Sequence, residues 1–228
     1  MTSPLTHRTT TPRKPTASED LNQQRAAIAA LGHELRALVE TTVRTAAEPE
    51  TLHHVADGVR SLARQLTGRR RVPREIPAVD EFPGGVRMYS PVTGPGSPLA
   101  PPLHVMPADD GVAGTCTLGI AHEGPPGYGH GGISAMLLDE LMGWACAAAG
   151  MPGMTIGLQL RYHRPVPLQT PLHLSARVIG TDDRKIFVAG SIATDHDCSA
   201  ILVSADGTFV APDPDRARAL FPSLREEV

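Results

Sequence analysis

The sequence predicts an α+β domain, one antiparallel sheet with a single long helix against it, preceded by a helical extension. Three observations carry this. From Leu103 onward, apolar and polar residues alternate with the two-residue period of half-buried strands. One segment there departs from that period: Gly131 to Ala149 has no internal proline and carries Ile133, Met136, Leu137, Leu141 and Trp144 at helical spacing. Before Gly68 the spacing is helical in two separate runs.

Taken in order, residues 1–16 are rich in Thr, Pro, Arg and Lys, with too little apolar side chain to offset the entropy of ordering, and are expected to be a disordered tail. Thr16 and Glu19 are spaced as a capping box, and Leu21, Ile28, Leu31, Leu35 and Leu38 form the stripe of an amphipathic helix ending near Ala47. Pro49 and Glu50 suit the first turn of a second helix, whose Leu52, Val55, Val59, Leu62 and Leu66 run to the stop at Gly68. Residues 17–68 therefore read as a helical hairpin whose stripes pack on each other or on a second copy.

Residues 69–102, opening on Arg69-Arg70-Arg71 and punctuated by Pro and Gly, show no sustained period and read as a linker wrapping the next domain. The domain itself is expected over 103–212, with 213–228 as a C-terminal tail. Within it, Gly114 to Ile120 is a strand, the central helix stops at Gly150, and the rest is strands. Ile156, Leu158, Leu160 and Tyr162 share one face against Gln159, Arg161 and His163 on the other. Leu172, Leu174, Ala176 and Val178 repeat the pattern, and turns at Gly180–Asp183 and Asp195–Asp197 lead into Lys185–Thr194 and Ser199–Val210. The expected order is a strand pair, one helix, then a four-stranded meander.

Composition excludes several classes. A net charge of −3 gives no whole-chain case for nucleic acid or an anionic membrane as partner. Three cysteines without a Cys-x-x-Cys pair suggest free thiols rather than a disulfide framework or a zinc site. The most apolar window is interrupted by Asp139 and Glu140 and is too short for a membrane span, and no apolar signal core opens the chain, so a cytoplasmic setting is expected. No Gly-x-Ser-x-Gly elbow, P-loop or dinucleotide fingerprint is present, and no metal or cofactor is called for.

Chemistry concentrates where the glycine-rich segment from Gly124 to Gly132 enters the central helix. Glycines allow close approach to a ligand, and the first N–H groups of a helix lack intrahelical partners, so the segment fits an oxyanion or anion site; it fits a tight turn equally well. Asp139 lies two turns into the helix among Ala135, Met136, Met142 and Gly143, as a shielded base or nucleophile would, or as a carboxylate facing solvent at a helix edge. His130 fits either an orienting role or a hydrogen bond that locks the turn. Arg161 and Arg164 suit phosphate contacts or solvated strand ends.

His130-Gly131-Gly132, Asp139 seven residues after Gly132, and the strand from Thr155 to Arg164-Pro165 together resemble the hotdog-fold acyl-coenzyme A thioesterases. The likeness is to the phenylacetate-pathway (PaaI-like) and Them4-like branch of the 4-hydroxybenzoyl-CoA thioesterase superfamily, and it covers roughly residues 100–212.

The resemblance implies hydrolysis of acyl-CoA or acyl carrier protein thioesters without a cofactor. Helix-start amides, that of Gly132 foremost, would polarise the carbonyl, with His130 alongside. Asp139 would act as base or nucleophile, Thr155 would help place the attacking water, and Gly131 and Arg164 would contact substrate. It also implies a homodimer or dimer of dimers, with the helix carboxylate from one subunit and the strand residue from the other. The extension over residues 1–100 departs from the shortest family members. It leaves open an acyl-CoA sensor with an N-terminal DNA-binding region, although a first helix of this length is unlike a helix-turn-helix element.

Overall fold

A computed structural model describes residues 17–73, 75–81, 85–211 and 213; the expected N-terminal tail, Thr16 of the capping box and nearly all of the expected C-terminal tail lie outside the described residues. The elements are α1 (Ala17–Arg44), α2 (Pro49–Gln65), β1 (His104–Ala108), β2 (Gly111–Thr117), a single 3₁₀ turn (Ile120–His122), α3 (Gly131–Ala148), β3 (Met154–Tyr162), β4 (Pro171–Asp182), β5 (Lys185–Thr194) and β6 (Val203–Val210). All six strands form one antiparallel sheet in the order β1-β2-β4-β5-β6-β3, and α3 packs against it. This is the hotdog arrangement, with the helical extension ahead of it.

α3 forms as its sequence dictates. His130 is its N-cap, and at the other end Gly150 adopts φ +74, with Met151 N–H donating to Cys146 C=O (2.9 Å) and Gly150 N–H to Ala147 C=O (2.9 Å). That left-handed closure uses the glycine for its freedom at positive φ. Leu137, Leu138, Leu141 and Met142 are fully buried against Leu172, Leu174, Val188, Ile192 and Phe209 of the sheet. Each such side chain contributes about 1.5–3 kcal/mol through burial. Met142 rests on glycines: a Cβ at Gly190 would come 3.0 Å from its Cε, and one at Gly207 2.8 Å from its Sδ. The far face of the sheet is polar, with Ser175 and Ser191 hydroxyls 3.0 Å apart and His163 Nε2 2.9 Å from Ser204 Oγ.

Several details depart from expectation. The last four strands are not a meander: β4, β5 and β6 are, but β4 also pairs with β2, and β3 crosses to the edge beside β6. That crossover lets strands from both sides of α3 close around it, which a simple meander could not do. β2 begins at Gly111, earlier than Gly114. β6 begins at Val203, later than Ser199, because Asp197 Oδ1 gathers the N–H groups of Ser199 and Ala200 (3.2 Å each) into a turn.

Of the two packings expected of the extension, on each other or on a second copy, the first does not form within the chain. α2 buries no residue, and Leu52, Val55, Val59, Leu62 and Leu66 are all exposed. α1 ends at Arg44 rather than near Ala47, and its one buried residue is Gly32, not a member of the leucine stripe; a Cβ there would collide with Pro95 O and Gly96. Polar clamps flank this contact: Arg25 Nε donates to Val79 O (2.8 Å), and Arg36 donates to Pro95 O and Ser97 O (2.8 Å each). The irregular stretch 85–103 between them buries Met88, Val92, Ala100 and Leu103. Of the basic run, Arg69 pairs with Glu75 (2.6 Å) and Arg71 lies over the Tyr89 ring at 5.8 Å.

Candidate active site

The loop into α3 is a small closed structure. Glu123 bridges Gly129, Gly124 N–H donates to Tyr128 O (2.9 Å), Gly127 takes φ +82, and Gly129 N–H reaches Val166 O (2.8 Å). His130 N–H donates to His122 O (2.9 Å), tying the helix start back to the 3₁₀ turn.

At the start of α3 the structure separates two adjacent amides. His130 Nδ1 accepts from Gly132 N–H at 3.0 Å, so that donor is already used. This corrects the expectation that Gly132 supplies the foremost oxyanion donor, since a donor satisfied by an imidazole is not available to a substrate. This is the contact expected of a His130 that holds the turn. Gly131 N–H has no partner among the described residues, and as the first helical amide it points out of the helix. Gly131 C=O accepts from Tyr162 Oη (2.9 Å), and a Cβ on Gly131 would lie 3.2 Å from that oxygen.

Asp139 is half-buried on α3, and Thr155 Oγ1 donates to its Oδ1 at 2.8 Å. Both belong to one chain, which corrects the implied division of carboxylate and strand residue between subunits. A β-bulge makes the contact possible. The β3–β6 register shifts between Thr155 and Gly157, leaving Ile156 without a partner and 57% exposed. Leu158 and Leu160 pack on the core as expected. In an unbroken strand Thr155 and Tyr162, seven residues apart, would face opposite sides; the extra residue turns both toward α3.

The remaining candidates are spread out. Arg164 is exposed just beyond the Tyr162 end of β3, its backbone N–H donating to Leu202 O (3.1 Å) and its guanidinium without a partner among the described residues. Glu140, next to Asp139, points elsewhere and accepts from Thr93 Oγ1 and Trp144 Nε1 (3.3 Å each). A surface cleft of about 350 Å³ between Trp144, Leu103 and the 85–95 segment includes none of the site residues. Cys116 and Cys146 are buried, which pushes their thiols up to about 12 and about 11, while Cys198 is exposed. Among the described residues no His, Cys, Asp or Glu cluster could hold a metal ion, and no helix is long and apolar enough to cross a membrane. Sequence reasoning missed Tyr162 as a site residue; its alternation marked only a buried face, and nothing local signalled a hydroxyl reaching Gly131.

The thioesterase superfamily model matches residues 126–197. Mouse acyl-coenzyme A thioesterase THEM4 is 30% identical over 98 residues, covering 43% of this chain and 42% of its own length. Human acyl-coenzyme A thioesterase THEM5 is 27% identical over 88 residues, covering 39% and 35%. Each match spans less than half of the curated relative. A crystal structure of a thioesterase superfamily protein aligns over 80% of this chain and 94% of its own, at 38% identity and a TM-score of 0.68. With that extent of agreement on a hotdog sheet, the chain belongs to the thioesterase superfamily.

Proposed function

We propose that this chain hydrolyses acyl thioesters of coenzyme A, or of acyl carrier protein, to the free acid and thiol, in a cytoplasmic setting and with no cofactor. The observation that carries the reading is the Thr155–Asp139 hydrogen bond on a half-exposed face of α3, with the unspent Gly131 amide on the same helix. The names of the curated relatives favour coenzyme A as the carrier.

In this reading, Thr155 holds the Asp139 carboxylate in one orientation. The carboxylate takes a proton from a water that adds to the thioester carbon, or adds to that carbon itself and is then released by water. Negative charge builds on the carbonyl oxygen, where the Gly131 N–H donates, aided by the positive end of the helix. The C–S bond breaks and the sulfur leaves as thiolate, to be protonated. His130 keeps Gly132 N–H occupied and the turn rigid, and Arg164 meets substrate phosphates. Label from ¹⁸O-water found in Asp139 after a single turnover would establish the covalent route, since it requires water to add to the Asp139 carboxyl carbon of an acyl anhydride.

Distance supports a dimer. Asp139 lies eight residues beyond Gly131, which is about 12 Å along the helix axis at 1.5 Å per residue. An oxyanion donor and a base serving one carbonyl must both lie within a few ångströms of it, so one chain's pair cannot serve one substrate. Two copies related by a two-fold axis bring Gly131 of one against Asp139 and Thr155 of the other. The exposed β3 edge, with Met154, Ile156 and Tyr162 open, suits that pairing.

The test is thiol release by the full chain across acyl-CoA lengths, including aryl examples, with Asp139→Asn alongside. Turnover lost by about 10²–10⁴ in the variant, with the dimer intact, is the expected result. Near wild-type turnover in Asp139→Asn would remove Asp139 from the mechanism. Inactivity across the panel, with DNA retained and then released by an acyl-CoA, would favour the sensor reading over the enzyme.

A further inference from the structure

We propose that Glu40, in the helical extension, is a positioning residue for the active site. It acts through the 3₁₀ turn to set the start of α3, and the proposal rests on the thioesterase reading above. The connection is a continuous run of hydrogen bonds. Glu40 Oε1 accepts from Ile120 N–H and Oε2 from Ala121 N–H, each at 3.1 Å, so one carboxylate caps the first turn of the 3₁₀ segment. The same segment ends at His122, whose carbonyl accepts from His130 N–H at 2.9 Å. His130 Nδ1 in turn accepts from Gly132 N–H, beside the free Gly131 amide.

The Glu40 contact has the marks of a fitted joint. Arg44, one turn later on α1, donates from Nε to Glu40 Oε1 at 2.7 Å and holds the carboxylate from behind. Gly119 leaves the space the carboxylate fills, since a Cβ there would come 3.0 Å from Glu40 Cδ and closer still to Oε2. Burial alone would push the Glu40 carboxyl up, but the Ala121 and Ile120 amides and Arg44 outweigh it and hold it below the usual carboxylate range. Arg25, Gly32, Arg36 and Glu40 lie at spacings of seven, four and four, so one face of α1 carries every one of these joints to the domain. α1 is thereby fixed at several points, and its last turns deliver Glu40 to the loop. The family match begins only at residue 126 and assigns nothing to this helix.

The test uses the full chain, with Glu40→Ala, Glu40→Gln and Gly119→Ala. Two readouts are taken: acyl-CoA turnover, and amide hydrogen exchange at residues 120–133. In Glu40→Ala, kcat falls about tenfold with KM within about twofold, because a shifted amide costs transition-state more than ground-state contact. Exchange at Ile120, Ala121, His130 and Gly132 rises about tenfold. Glu40→Gln, which keeps an acceptor oxygen, recovers part of both; Gly119→Ala, which displaces the carboxylate, reproduces the loss. Wild-type kcat and exchange at 130–132 in Glu40→Ala would overturn the proposal, as would kcat and KM changing together with general loosening of the fold. An inactive wild type would sink the thioesterase reading but not this one. The exchange at His130 and Gly132 then decides it alone, and unchanged exchange there overturns it.

Discussion

Replacing Thr155 by Val removes one hydroxyl and almost no volume, which makes it the sharpest probe of the site. The hydroxyl donates to the Asp139 carboxylate at 2.8 Å, a hydrogen bond to a charged group. Such bonds contribute about 1.5–3 kcal/mol. Thr155 is exposed and Asp139 only half-buried, so water can replace part of that and the lower end applies, about 1.5 kcal/mol. At 1.36 kcal/mol per tenfold, Thr155→Val should lower kcat roughly tenfold. KM should change little, because orientation of the base matters most at the transition state. Thiol release at saturating acyl-CoA reads this directly, and Thr155→Ser, which keeps the hydroxyl, should remain near wild type. In a double-mutant cycle, Thr155→Val should cost almost nothing once Asp139 is already Asn, since the two act as one unit. Wild-type kcat in Thr155→Val, or equal losses in Val and Ser, would refute the reasoning; a full tenfold loss persisting in the Asp139→Asn background would mean Thr155 acts elsewhere.

Tyr162→Phe deletes the donor to Gly131 C=O while leaving the ring, and should lower kcat about fivefold, the worth of a neutral hydrogen bond of about 1 kcal/mol. Unchanged kcat would leave that contact a packing detail. Leu138→Ala, at a fully buried position of α3, should destabilise by about 2–5 kcal/mol in urea unfolding, and a smaller loss would mean the sheet collapses around the gap. A thiol reagent at neutral pH should modify Cys198 quickly and Cys116 and Cys146 only after denaturation, because burial pushes the latter two thiols up to about 12 and about 11. Rapid modification of all three without denaturant would show that the core opens far more readily than its packing implies.

The boundaries of α3 were legible because both ends are local chemistry: a Gly-Gly start behind His130, and Gly150 supplying the left-handed closure. The strand faces of β4 were legible for the same reason, as Leu172, Leu174 and Ala176 do face the core. The order of strands was not, since β3 pairing with β6 rather than β4 is settled by how the sheet closes over α3, and no period within β3 carries that. Ile156 shows the limit of alternation most clearly. Its pattern groups it with Leu158, but one unpaired residue reverses the face, and that reversal is what brings Thr155 to Asp139. At the loop, sequence singled out the helix-start amides; only the direction of the His130 imidazole shows that Gly132 N–H is hydrogen-bonded while Gly131 N–H has no partner among the described residues. In the extension the apolar stripe was legible, and its Ile28 does sit against Gly96, but the joint to the domain also runs through Gly32, Arg25, Arg36 and Glu40, which no apolar period marks.

The seat of Met142 on Gly190 and Gly207 bears on which parts of the molecule can yield during turnover. At these two positions the sheet presents bare backbone and the Met142 side chain fills the space, so α3 cannot slide there without opening a void. The helix that carries Asp139 therefore rests on a floor that does not give. A bulkier residue at Gly207 would press on Met142 and lift α3 from the sheet, carrying Asp139 and Gly131 with it.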